Sequence, residues 1–426
     1  MSCMGACLSC GKCGQFEILG TFVGIAEPGG RSDCHAGYGN GFDAGCAIDG
    51  RDGYGIAIDI GTTSVVLALF NLSTGEFLAR HSFMNPQRSY GPDVVSRIQA
   101  ANQGKQTELN KAIIDSLSAG IAALVRHGSG NGGDSDDIKR GEIKEIVIAA
   151  NTVMTHLLLG LPCESLGKYP FKPTRPLEGK QMLFGCPARI MPWLAGFIGG
   201  DILAGLLSVL PRGESCFLLI DLGTNGEIAL YDKGALTVTA TAAGPAFEGS
   251  GRKGGASAVL NDLAELLRSG LVDETGLLLK QDNGILPDEN LRGNFNEIRS
   301  DFLLSQKEIR DIQLAKSAVR SGLGILLHTA KLEYADLEKV YLAGGIGQAM
   351  KVDDAVTIGL LPEALKEKVI AVGNASLGGA ARLLLSPDSA DNDIKVLLSN
   401  HSEINLAGHP LFNDLFMEYL AFSRSG

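Results

Sequence analysis

At 426 residues the chain is longer than one hydrophobic core usually serves, so two or three domains are expected. With 37 Lys and Arg against 48 Asp and Glu its formal charge is -11, which argues against nucleic acid as a partner, because phosphate backbones are bound through clustered cations. No apolar run reaches the roughly 18 residues that would suggest a membrane span. Asp59 interrupts residues 55–70, and Asn151 and His156 interrupt 145–161, so no membrane partner is expected.

Residues 1–13 lack the basic start and apolar stretch of a secretory signal, and a cytoplasmic location is the expectation. In a reducing compartment cysteines serve as metal ligands or free thiols more often than as disulfides. Six of the nine, Cys3, Cys7, Cys10, Cys13, Cys34 and Cys46, lie before residue 50, and residues 1–50 read as a small metal-stapled module. Cys7, Cys10 and Cys13 have the spacing of a bacterial ferredoxin run, but Glu17 stands where its fourth cysteine would be. A fourth ligand is sought among Cys3, Cys34 and Cys46, and zinc uses similar spacings.

From Tyr54 the character changes. Tyr54–Ile60 reads as a buried strand, 61–64 as a turn and 65–70 as a second strand. Residues 129–135 form a polar, glycine-rich loop, 151–161 are helix-like, 162–192 carry six prolines and read as a loop excursion, and 201–207 resume a helix. The hairpin pattern returns with strand 216–222, turn 223–226 and strand 227–231, its aspartate 162 positions beyond the first. That period is too long for a solenoid and suggests a duplicated lobe, giving two α/β lobes at 54–210 and 215–426. Helices follow at 257–269, 305–329 and 354–358, and strand 339–343 runs into the turn 344–347 and a helix.

The hairpin tips carry the chemistry. In Asp-x-Gly-Thr-Thr at 59–63, glycine lets backbone N–H groups approach phosphate and the hydroxyls add donors. Asp59 and Asp221 cannot face phosphate directly and need an intervening Mg²⁺, which is held by few carboxylates and keeps several waters. Asp201, in Gly-Gly-Asp at 199–201, is either a general base or the N-cap of the helix it begins. His156, Trp193, Cys163, Cys186 and Cys216 are assigned to packing.

In order, the loop 59–64, the helix begun by Asn151, the loop 221–227, the turn 344–347 and Gly-Asn-Ala-Ser-Leu-Gly-Gly at 373–379 resemble the actin, sugar-kinase and heat-shock-chaperone ATPase superfamily. The resemblance implies two related actin-like, ribonuclease-H-like lobes around an ATP cleft. In it Gly61, Thr62, Thr63, Gly223, Thr224 and Asn225 hold phosphates, Gly344, Gly345 and Gly347 flank adenosine, and Asp201 acts on the attacking group.

Finer wording is similar to the reductive activators of corrinoid proteins. It lies in the motifs at 151–161, Tyr-Pro-Phe-Lys-Pro at 169–173, 221–227, Gly-Pro-Ala-Phe-Glu-Gly at 244–249, Ile-Gln-Leu-Ala-Lys at 312–316 and Gly-His-Pro-Leu-Phe at 408–412. That likeness adds Gly244, Glu248 and Lys316 to the nucleotide residues. It implies an iron–sulfur cluster and a corrinoid protein of a methyltransferase system as partner, with a separate ferredoxin as a further electron donor and room for a homodimer. Family members carry a ferredoxin domain and a middle domain ahead of the ATPase, for which the residues before Tyr54 leave no space. A small-molecule kinase and a nucleotide-switched binding module remain the alternatives.

Overall fold

The computed structural model describes residues 51–128, 140–174, 179–223, 225–247, 255–279 and 304–422. The expectations for the six amino-terminal cysteines, the loop 129–135, Thr224 and Glu248 fall outside them.

In the first lobe β1 (Tyr54–Ile60), β2 (Ser64–Asn71) and β3 (Phe77–Met84) form an antiparallel meander, and β4 (Ile143–Ala150) joins β1 in parallel. Two more strands, β5 (Gln181–Leu183) and β6 (Cys186–Ile190), complete the order β3-β2-β1-β4-β6-β5. These lie inside the stretch expected to be loop. Pro187 conceals β6: a residue without an N–H argues against a strand. Here, however, β6 pairs with β4 only at Ala188 to Ile190, so that ladder needs no donor from Pro187.

The second sheet repeats the pattern with β7 (Cys216–Leu222), β8 (Gly226–Asp232), β9 (Ala235–Thr241), β10 (Lys339–Ala343) and β11 (Val369–Gly373). A last strand, β12 (His401–Glu403), runs parallel to β9, giving the order β11-β10-β7-β8-β9-β12. Five strands of each sheet therefore correspond, β3-β2-β1-β4-β6 to β9-β8-β7-β10-β11, which is the duplication the two hairpins suggested.

Period-two alternation assigns the faces. Ile56, Ile58, Val65, Leu67 and Leu69 point outward onto α2 (Gln106–Gly128) and α3 (Thr152–Leu159). Leu218, Ile220, Ile228 and Leu230 likewise pack on α5 (Gly255–Arg268) and α6 (Gln306–Ala330). The inner faces, with Ala57, Val66, Ala68 and Phe70 from one sheet and Phe217, Leu219 and Ala229 from the other, share one core. That core is filled by α4 (Gly200–Val209) and a later helix, Ala375–Leu385.

Between these come α7 (Gly344–Ala349) and α8 (Val352–Thr357), so the later helix is α9; α10 (Pro387–Ser399) and α11 (Phe412–Glu418) follow it. The contact of α4 with α9 is close to the limit. A Cβ on Gly379 would stand 1.8 Å from the Ala204 carbonyl oxygen, a distance that real atoms do not tolerate. Arg382 ties the pair further by donating to the Leu207 carbonyl at 2.7 Å.

Among the described residues no helix is long and apolar enough to cross a membrane. Replacing Gly379 with Ala should force α4 and α9 apart and destabilise the protein by about 1–3 kcal/mol, the usual cost of overpacking. A wild-type urea midpoint for Gly379→Ala would contradict the close contact.

Candidate active site

The alternation that buries Ala57 and Leu219 on the inner faces carries Asp59 and Asp221 to the same side at the ends of β1 and β7. Residues directly opposite across an antiparallel ladder share a face. Glu227 on β8 is opposite Asp221, so a second carboxylate joins the floor of the cleft, whereas the corresponding partner of Asp59 is Val66. Glu227 is 7% exposed, and it was not among the residues singled out from the sequence. Its signal was the hairpin register, readable once Gly226 is placed opposite Leu222.

The helices meet these strand ends with their N-termini. The α4 cap is Gly199, without a side-chain cap bond, so the N-cap alternative for Asp201 is corrected: Asp201 sits within the first turn and accepts from the Ile202 amide at 2.9 Å. Asn374, the α9 cap, donates to one oxygen of Asp59 at 2.8 Å, and Ser376 donates to the other at 2.9 Å. Asp59 is thereby held by residues more than 300 positions away, a contact no local pattern announces.

The first loop is braced from behind. Asn85 donates from Nδ2 to the Gly61 carbonyl at 2.8 Å and from its amide to the Thr63 carbonyl at 3.0 Å. Arg97, on α1 (Val94–Ala100), donates to the Thr62 carbonyl at 2.6 Å. Asn151 caps α3 and donates to the Thr62 hydroxyl at 3.1 Å. In the second loop the Gly223 amide donates to the Asn225 carbonyl at 2.9 Å. Gly344 has φ +80 and lies so near that loop that a Cβ would be 2.5 Å from an Asp221 carboxylate oxygen, so only glycine fits. Gly345 faces open space, and Gly347 packs on Leu342.

Electrostatics sharpen the picture. Burial, and then the charge of Asp59, push the Asp221 carboxyl up to about 7. Burial and the charge of Asp221 raise Asp201, and burial with Asp201 and Asp221 raises Glu227 well above its usual range. Burial raises Asp59 as well, opposed by Asn374, Ser376 and the charge of Arg80. These half-buried or buried acids repel one another and fit a divalent cation with oxygen ligands. Among the described residues no three His, Cys, Asp or Glu converge closely enough to cage a bare metal ion. Asp59 and Asp221 are the carboxylates that could hold a cation here through its water shell.

Other expected residues have the following surroundings. Lys316, placed by resemblance with the nucleotide residues, is 1% exposed, and its amine donates to the Tyr419 and Ala421 carbonyls at 2.7 and 2.6 Å. Burial, with Arg320 nearby, pushes its pKa down to about 7. Those contacts clamp the carboxy-terminal segment onto α6. Gly244 has φ +65 at the start of a 3-10 turn with open space around it. His156 is a satisfied core residue, its ring nitrogens bonded to the Thr152 carbonyl and the Thr174 amide and its face against Trp193. Cys163, Cys186 and Cys216 are buried free thiols.

Two sheets with matching strand order, joined by α4 and α9 under a cleft of three glycine loops and paired aspartates, define a two-lobed ATPase of the actin, sugar-kinase and chaperone class. Residues 54–210 match the family model described as the RACo middle region, and residues 215–261 and 255–426 match the C-terminal domain of RACo, the ASKHA domain. The chain is 32% identical over 423 residues to the corrinoid activation enzyme RamQ of Eubacterium limosum, covering 85% of this chain and 69% of that protein. It is 23% identical over 436 residues to a Co(II) methylated amine-specific corrinoid protein reductase of Methanosarcina barkeri, covering 88% and 78% of the two chains. A solved structure, the reductive activator for corrinoid, iron-sulfur protein, superposes with a TM-score of 0.73 at 29% identity, covering 88% of this chain and 67% of that one.

The chain belongs to the RACo family, the reductive activators of corrinoid proteins. One expectation is overturned: the middle region is not missing ahead of Tyr54, because the first lobe itself, 54–210, is the part that matches it.

Asp221 generates a pH prediction. Its folded pKa of about 7 exceeds the unfolded value of about 4, so its contribution to stability is full below pH ~4 and is lost as pH rises through ~7. Without metal or nucleotide, Asp221→Asn should be more stable than wild type at pH 8, with the difference shrinking toward pH 5. Urea midpoints at the two pH values check this, and a pH-independent difference would contradict it.

Proposed function

We infer that this protein is an ATP-dependent reductive activator that drives an electron onto the Co(II) corrinoid of a methyltransferase system, restoring Co(I). The observation that carries the reading is likeness to named corrinoid activators across both lobes rather than one loop. Weaker likeness confined to the nucleotide loops would have fitted a kinase equally well.

The cleft supports the ATP half of the reaction. Backbone and hydroxyl groups of Gly61, Thr62, Thr63, Gly223, Thr224 and Asn225 would receive the phosphates, and Gly344, Gly345 and Gly347 would flank adenosine. Asp59 and Asp221 would hold hydrated Mg²⁺, which when bound offsets phosphate charge. Asp201, raised by burial and then by the charge of Asp221, would orient the attacking water and take its proton. The fixed braces behind the first loop keep these groups from reorganising as charge develops.

Co(I) is a strong reductant, so the transfer is uphill for ordinary donors. Nucleotide-linked closure of the lobes can drive it only if the two closure states bind the Co(II) partner differently. Cys7, Cys10 and Cys13, with Cys3, Cys34 or Cys46, supply thiolates with a spacing that suits an iron–sulfur cluster, and a separate low-potential ferredoxin would supply the electron.

Anaerobic protein mixed with a Co(II) corrinoid protein and a low-potential reductant should yield the Co(I) spectrum only with Mg-ATP. Asp201→Asn should slow ATP hydrolysis by about 100-fold or more while changing the ATP dissociation constant far less, as for a group acting in the transition state. Reduction that ignores ATP, or phosphoryl transfer to an added small-molecule alcohol, would overturn the reading.

A further inference from the structure

Arg97 is an unusual component of the first loop. It is 0% exposed, and its three hydrogen bonds go to uncharged atoms: the Thr62 carbonyl at 2.6 Å, the Gly91 carbonyl at 3.0 Å and the Met154 sulfur at 3.1 Å. Among the described residues no carboxylate forms an ion pair with it. Burial, and then the charge of Arg88, push its pKa down to about 10, opposed by Asp93, so it remains a cation at neutral pH. A fully buried guanidinium that forms no direct ion pair is costly to keep. The chain nonetheless places one on the carbonyl of Thr62, in the loop that follows Asp59.

We propose that Arg97 is a positioning residue for the terminal phosphates of the bound nucleotide, acting through the Thr62–Thr63 peptide unit. The inference rests on the nucleotide reading of the cleft. In a planar trans peptide the carbonyl and the following N–H point in opposite directions. With Arg97 on the Thr62 carbonyl, the Thr63 N–H of the same unit is aimed away from the guanidinium, and in this proposal it is the donor offered to the terminal phosphates. A charge-assisted bond to the oxygen also polarises the unit and makes that N–H a stronger donor. The three bonds of the planar guanidinium fix its position, which a lysine ammonium cannot reproduce.

The arrangement answers an electrostatic problem in the site. Asp59, Asp201, Asp221 and Glu227 line the floor toward which the phosphates must move. A hydrated cation held by Asp59 and Asp221 would offset part of that charge. Arg97 places positive charge on the other side of the loop without exposing a cation that could pair with those acids and close the cleft. A bound polyphosphate would in turn add negative charge near a guanidinium that forms no direct ion pair.

Calorimetry with Mg-ATP and Mg-ADP on the wild type, Arg97→Met and Arg97→Lys tests this. Arg97→Met should weaken ATP by about ten-fold or more, the scale of one charge-assisted hydrogen bond, and weaken ADP less, so that the ATP to ADP preference falls. Arg97→Lys, which keeps the charge and loses the fork, should lose part of that preference and serves if the Met variant does not fold. A purely structural role would lower the unfolding midpoint and leave the preference unchanged, which would overturn the proposal. Wild-type protein that binds neither nucleotide would overturn the nucleotide reading itself, and the role of Arg97 with it.

Discussion

The backbone contact between α4 and α9 is the constraint on which the rest of the structure depends. With Gly379 against the Ala204 carbonyl, the two helices fill the single core shared by both sheets, and their N-termini are delivered to the same place. That place is also where the inner faces of β1 and β7 end. Asp201 arrives on one helix, Asn374 and Ser376 on the other, and Asp59 and Asp221 on the strands. The site is thus the meeting point of two packing rules, strand alternation and helix approach, rather than a pocket cut into a finished fold.

Its chemistry follows from what that meeting leaves uncompensated. Burial raises the acids on this floor, Asp201, Asp221 and Glu227 are raised further by neighbouring carboxylates, and Asp59 is met by hydrogen bonds from Asn374 and Ser376 and the charge of Arg80; among the described residues there is no metal cage. Such a floor is suited to a ligand that brings its own cation. The duplicated lobes are also unequal: Val66 stands opposite Asp59 where Glu227 stands opposite Asp221, which concentrates negative charge on the second lobe. The first lobe contributes instead a loop whose three carbonyls are all taken from behind.

Much of this was legible in the sequence where a signal is local. Tyr54–Ile60, Cys216–Leu222 and Lys339–Ala343 are short buried runs closed by glycine, and they form the strands expected of them. The helix expected at 305–329 appears at Gln306–Ala330, opened by the Ser305 and Glu308 capping box. What was hidden depends on tertiary partners. Pro187 masked β6 until its pairing with β4 showed that no amide was needed there. Glu227 required the hairpin register, and the hold of Asn374 and Ser376 on Asp59 spans most of the chain. Lys316 carried a motif, yet its amine serves two carbonyls of the carboxy-terminal segment.

The central claim is that the nucleotide state of the cleft does work on the corrinoid partner, and work of this kind exists only as a difference in affinity between states. The most direct measurement is the dissociation constant of the Co(II) corrinoid protein with the activator held in turn by a non-hydrolysable ATP analogue and by ADP, each with Mg²⁺. The two constants should differ by about ten-fold or more, equivalent to at least about 1.4 kcal/mol of coupling. Equal affinities in the two states would contradict the claim, whatever the rate at which ATP is hydrolysed.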